Sequence, residues 1–98
     1  MKNYAAPQKI GTEEAETLAV AAFSAITGDE ERMSRFMSIA GLRPETIRQA
    51  AESSRFFAAI LEYVVSDEPL LIALATELGV RPERLMAAHL ALSPSEFE

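Results

Sequence analysis

The chain has 98 residues, 49% of them apolar and 24% charged, a balance that suits one small globular core and excludes a wholly disordered or collagen-like polymer. There is no cysteine and a single histidine, His89, so disulfides, thiolate metal sites and any two-histidine motif within the chain are excluded. The net charge of −6 opposes nucleic-acid phosphates and anionic lipid surfaces unless the basic residues segregate, and no apolar run approaches the ~20 residues that cross a bilayer, so the expectation is a cytoplasmic protein without a membrane role.

Residues 1–11 read as a flexible N-terminal segment, 12–92 as a single helical domain and 93–98 as a loose C-terminal tail. Ala15, Leu18, Ala19, Ala22, Phe23 and Ile26 recur at helical spacing and predict a first helix over 13–27, with Thr12 as its cap, Glu13, Glu14 and Glu16 in its first turns and Gly28 as a left-handed exit. Asp29 then caps a helix over 30–40, in which Met33, Phe36, Met37 and Ala40 form the stripe and Gly41 ends it. Pro44 opens a short third helix over 44–52, where Leu42 can staple onto Ile47. The run from Phe56 to Val65, interrupted only by Glu62, predicts a nearly all-apolar helix over 55–65, buried on most sides and started by the cap-type Ser53 and Ser54. Asp67 and Glu68 start a fifth helix over 68–78, with Pro69 tolerated in its first turn, and Gly79 and Pro82 separate it from a sixth over 82–91. The predicted core is Leu18, Phe23, Ile26, Phe36, Ile47, Phe57, Ile60, Leu61, Val64, Leu71, Leu74, Leu78 and Leu85.

At an offset of 38 residues, Asp29-Glu30 falls on Asp67-Glu68, and the stretch from Gly41 to Ile47 falls on Gly79 to Leu85. Three helices used twice account for this, and the expected fold is an all-α compact bundle of five or six helices, built as two three-helix units related by a pseudo-twofold. The copies diverge, since Arg35 stands opposite Ala73 and Ile39 opposite Glu77, so they cannot present the same surface.

Charge is polarised along the chain: residues 32–55 hold five arginines against two glutamates, whereas 56–80 hold four acidic residues and no basic one. The segment from Leu74 to Leu85 has the small residue, glycine turn and aliphatic spacing of a DNA-binding helix-turn-helix. Its first copy is better supplied, with Arg32 and Arg35 on one helix and Arg43, Thr46, Arg48 and Gln49 on the next, and these six form the alternative nucleic-acid surface. The plainer reading of the same stretch is a tight helical corner with surface ion pairs such as Glu31 to Arg35 and Glu45 to Arg48, and nucleic acid is the less favoured partner.

The acidic runs at Glu13-Glu14-Glu16, Asp29-Glu30-Glu31 and Asp67-Glu68 sit at helix starts, where capping explains them without a metal. His89 lacks a partner residue, and Ser53-Ser54 has neither a glycine elbow nor a base. The reading is therefore non-enzymatic, with no cofactor and no metal. Methionines Met33, Met37 and Met86, with the phenylalanines, read as core. Phe56, Tyr63, Leu70 and Ile72 lie off the main stripes of their helices and form the candidate interaction surface, for a protein partner or a homodimer.

The segments from Arg32 to Pro44 and from Phe56 to Glu68 resemble a small bacterial family, domain of unknown function 3572, over about 13–88. The shared signals are a basic-aromatic helix ending in Gly41-Leu42-Arg43-Pro44 and an apolar helix ending in Asp67-Glu68, while Gly79-Val80-Arg81-Pro82 fits less closely. The resemblance implies a domain of this length in a bacterial cytoplasm, and no activity or cofactor.

Overall fold

The structure, a computed structural model, describes residues 10–41, 43 and 54–93. They form five helices, α1 (Thr12–Thr27), α2 (Glu30–Ala40), α3 (Ser54–Val65), α4 (Glu68–Leu78) and α5 (Pro82–Leu92), and no strand occurs among the described residues. The chain is an all-α bundle. The predicted helix over 44–52, its core residue Ile47, and the segments 1–9 and 94–98 lie outside the described residues.

The helix ends follow local chemistry. Asp29 turns its carboxylate onto the amides of Glu31 and Arg32, at 2.9 and 3.1 Å, and Asp67 does the same for Leu70 at 3.2 Å. Gly41 and Gly79 both exit their helices at φ 71, a left-handed conformation that costs glycine nothing. Two expected caps are corrected. Thr12 is already the first residue of α1, and Gly11 precedes it as the cap, its carbonyl accepting from Ala15 at 2.9 Å. Gly28 stays right-handed at φ −76, because the helical turn runs on through it and only Asp29 swings to extended backbone. Ser66 occupies the matching place between α3 and α4 with the same bonding: Gly28 donates to Ser24 and Ser66 to Glu62, four residues back in each case, so no left-handed residue is called for. At the N-terminal end of the described residues, Ile10 is partly buried against the core.

Helix α1 is the hub, packing against all four other described helices. Its inner stripe, Ala15, Ala19, Ala22 and Ile26, is fully buried and mostly made of methyl groups, which lets neighbouring backbones approach closely. The bulk comes from the other helices, with Phe36 on α2, Phe56, Ile60, Leu61 and Val64 on α3, Leu71 and Leu74 on α4, and Leu85 and Ala88 on α5. Of the predicted core, Leu18, Phe23, Phe57 and Leu78 are only partly buried. Phe56 and Phe57 exchange their expected places: Phe56 lies in line with Ile60 and Val64 at four-residue spacing and is 5% exposed, and Phe57 stays at the margin. The ring of Phe56 meets Phe23 at 5.1 Å and Phe36 at 6.5 Å between centroids, both edge to face.

Because α1 meets its neighbours through alanines, added volume there has no room. Ala19→Leu is expected to destabilise the fold by roughly 1–3 kcal/mol through overpacking, read as a lower midpoint of urea unfolding. An unchanged midpoint would show that α1 can shift outward without loss.

Candidate functional site

A groove of about 380 Å³ lies between α2 and α4, lined by Asp29, Glu31, Arg32, Arg35, Tyr63, Asp67, Pro69, Leu70 and Ala73. Its two long walls have the same register. Positions 29, 31, 32 and 35 of one wall and 67, 69, 70 and 73 of the other are each 38 residues apart, and only the cap aspartates keep their chemistry. Where α2 presents Glu31, Arg32 and Arg35, α4 presents Pro69, Leu70 and Ala73, so one wall is charged and the other largely apolar.

One contact ties the walls together. Arg32 donates to both carboxylate oxygens of Glu77, at 3.0 and 2.6 Å, and reaches the Ala25 carbonyl at 3.4 Å, so the start of α2 is bound to the end of α4 and the last turns of α1. That two-pronged hydrogen bond is the main reason the Glu77 carboxyl is held below its ordinary range, and it raises the Arg32 guanidinium in turn. Glu31 and Arg35 do not form the expected pair, and Arg35 makes no ion pair among the described residues. Its charge acts instead on Tyr63, whose phenol is raised above its ordinary value chiefly by burial, with Arg35 pulling down and Asp67 pushing up. Tyr63 is thus a neutral hydroxyl donor, its ring standing edge-on to Phe36 at 5.2 Å.

The expected surface of Phe56, Tyr63, Leu70 and Ile72 is corrected. Phe56 is in the core, because its ring completes the cluster with Phe23 and Phe36. Leu70 and Ile72 are two residues apart and point to different sides of α4, Leu70 toward the groove and Ile72 outward at 48% exposure. The six-residue nucleic-acid set is divided too: Arg32 is engaged, Arg35 lines the groove, Arg43 is exposed, and Thr46, Arg48 and Gln49 lie outside the described residues. Two residues from each set, Tyr63 and Leu70 with Arg32 and Arg35, meet in one groove. The sequence signal for it was the mismatch of Arg35 with Ala73 at the 38-residue offset.

Of the remaining candidates, Asp29 and Asp67 act as caps, Glu14 pairs with Arg84 of α5, and His89 is half-buried, its backbone carbonyl accepting from the Ser93 hydroxyl at 2.7 Å. Among the described residues no three His, Asp or Glu side chains are grouped to hold a metal ion, and no helix is long and apolar enough to cross a membrane.

An all-helical bundle with an amphipathic groove between α2 and α4 is the class of protein that fold and site define. The family model described as Protein of unknown function (DUF3572) matches residues 12–95, and the chain belongs to that family. No curated protein and no solved structure matches it.

Since the folded state lowers the Glu77 carboxyl, the Arg32–Glu77 bridge stabilises the fold above the unfolded carboxyl value of ~4.3 and is lost as the pH falls through the lower folded value. Glu77→Gln is expected to be less stable than the parent at neutral pH, with the gap closing in acid and in high salt. A gap independent of pH, measured by urea unfolding, would assign the effect to packing.

Proposed function

We propose that the domain is a non-catalytic helical protein-interaction module of the bacterial cytoplasm, and that a segment of a partner protein docks in the groove between α2 and α4. The observation that carries this reading is the groove's composition, an apolar wall of Pro69, Leu70 and Ala73 facing the charged wall that holds Arg35. Such a cleft offers area for burial with a few polar groups to fix orientation, which is how a segment is held and aligned. A catalytic reading of the groove gains less, because its cap carboxylates Asp29 and Asp67 are engaged with backbone amides and Arg32 with Glu77. We also propose that the two walls come from one duplicated helix unit, which accounts for their common register and for the matching caps and glycine exits.

A pooled peptide display panned against the protein and against Ala73→Arg, which fills the groove from its apolar wall, tests the module. Enriched peptides are expected to bind Ala73→Arg at least about tenfold more weakly, a loss of ~1.4 kcal/mol. Enrichment indifferent to that change would move docking elsewhere, for instance to a dimer face around Ile72 or the exposed Met86 and Leu90 of α5.

A helix-turn-helix reading gains little support from residues 32–43. Arg32 is neutralised by Glu77, and Arg35 shares its groove with Asp29, Glu31 and Asp67. No binding to mixed duplex DNA is expected at physiological salt. A mobility shift that weakens steeply as salt rises would mark several phosphate contacts and replace the interaction reading.

A further inference from the structure

We infer that the groove takes the C-terminal residue of a partner chain, its free α-carboxylate on Arg35 and Tyr63 and its apolar side chain against Pro69, Leu70 and Ala73. The inference rests on the reading of the groove as a docking site and adds the chemistry of what docks there.

Size sets the first limit. A volume of about 380 Å³ is near the small end of the ~300–1,000 Å³ range of ligand clefts, room for one or two residues and too little for a docked helix or a duplex. Charge sets the second. The Asp29 and Asp67 carboxylates are each held by backbone amides at the positive start of a helix, where the dipole offsets part of their charge. Arg32 is committed to Glu77 and the Ala25 carbonyl. Arg35 is the guanidinium of the groove left without an ion pair among the described residues, and it stands where its charge reaches the Tyr63 phenol. A guanidinium and a hydroxyl donor that line the same groove suit one carboxylate. Glu31 and Asp67 line the same groove and oppose a second negative charge, so a polyanion or an acidic run is disfavoured.

The third limit is the opposite wall. Pro69, Leu70 and Ala73 offer no charged group, and a terminal leucine or phenylalanine carries its carboxylate and its apolar group on one Cα, so both walls are met by a single residue. An internal aspartate or glutamate would have to lead polar backbone through the groove on both sides to place the same two groups.

The test uses N-acetyl-leucine and N-acetyl-leucinamide as probes, titrated into the isotope-labelled chain and followed by NMR. N-acetyl-leucine is expected to shift the Tyr63, Leu70 and Ala73 resonances and to bind at least about tenfold more tightly than the amide, the factor that ~1.4 kcal/mol supplies. Arg35→Gln, an exposed change in a helix, is expected to abolish the preference while leaving the fold intact by circular dichroism, and Arg35→Lys to restore part of it. Equal binding of acid and amide, a preference that survives Arg35→Gln, shifts outside the groove, or no shift at millimolar probe would each overturn the inference. If panned peptides bind internally in a way that Ala73→Arg blocks, while acid and amide do not differ, the docking function stands and the carboxylate specificity falls. If Ala73→Arg blocks nothing, both fall.

Discussion

Ala15, Ala19 and Ala22 bring only methyl groups to the centre of the bundle, and their complete burial decides how the other helices are arranged. An alanine stripe gains little area per residue, yet it allows close approach, so α3 and α5 can lie against α1 along its length. The missing volume is supplied from outside the stripe by large side chains that converge on it: Phe36, Phe56, Leu61, Leu74 and Leu85 are each at most 5% exposed. Near the end of α1, where Ile26 replaces alanine, the filling becomes aromatic, with Phe23, Phe36, Phe56 and Tyr63 linked edge to face. Tyr63 belongs both to that cluster and to the groove, so its hydroxyl is positioned by the core.

The groove follows from the same arrangement. Among the described helices α2 packs chiefly on α1, and α4 packs on α1, α3 and α5, so the two flank a gap that their side chains must close. The Arg32–Glu77 bridge closes one end, and going forward along α2 from Arg32 to Arg35 goes back along α4 from Glu77 toward Asp67. A twofold axis through the groove belongs to the duplication proposed above, in which positions 38 apart correspond while their side chains differ.

Much of this was legible in the residues. The bounds of α2 and α4 follow from Asp29, Gly41, Asp67 and Gly79, because side-chain capping and a left-handed exit are local and act the same in any fold. The ends of α1 were less legible: Thr12 and Gly28 are both suited to the expected roles, but the turn running on from α1 into Asp29 needs neither. The choice between Phe56 and Phe57 is beyond local reasoning, since neighbouring residues differ by about 100° around a helix and only Phe23 and Phe36, from other helices, select the ring that goes in. The groove is less legible still, because its tie joins residues 45 apart in the chain.

The distribution of charge in the groove is the last step. An acidic chain of net charge −6 has no general reason to attract anions, and four of the five ionised groups lining its groove leave little doubt about their allegiance or sign: two carboxylates sit on helix amides, Glu31 is a third, and Arg32 is neutralised by Glu77. Arg35 lies one turn along α2 from Arg32, and where Arg32 meets Glu77, Arg35 lines the groove with Ala73 on the facing wall and makes no ion pair among the described residues. A cation without an ion pair among the described residues, opposite an apolar wall and in a groove with three carboxylates, favours one carboxylate attached to an apolar group over any ligand whose charge is multiple or spread.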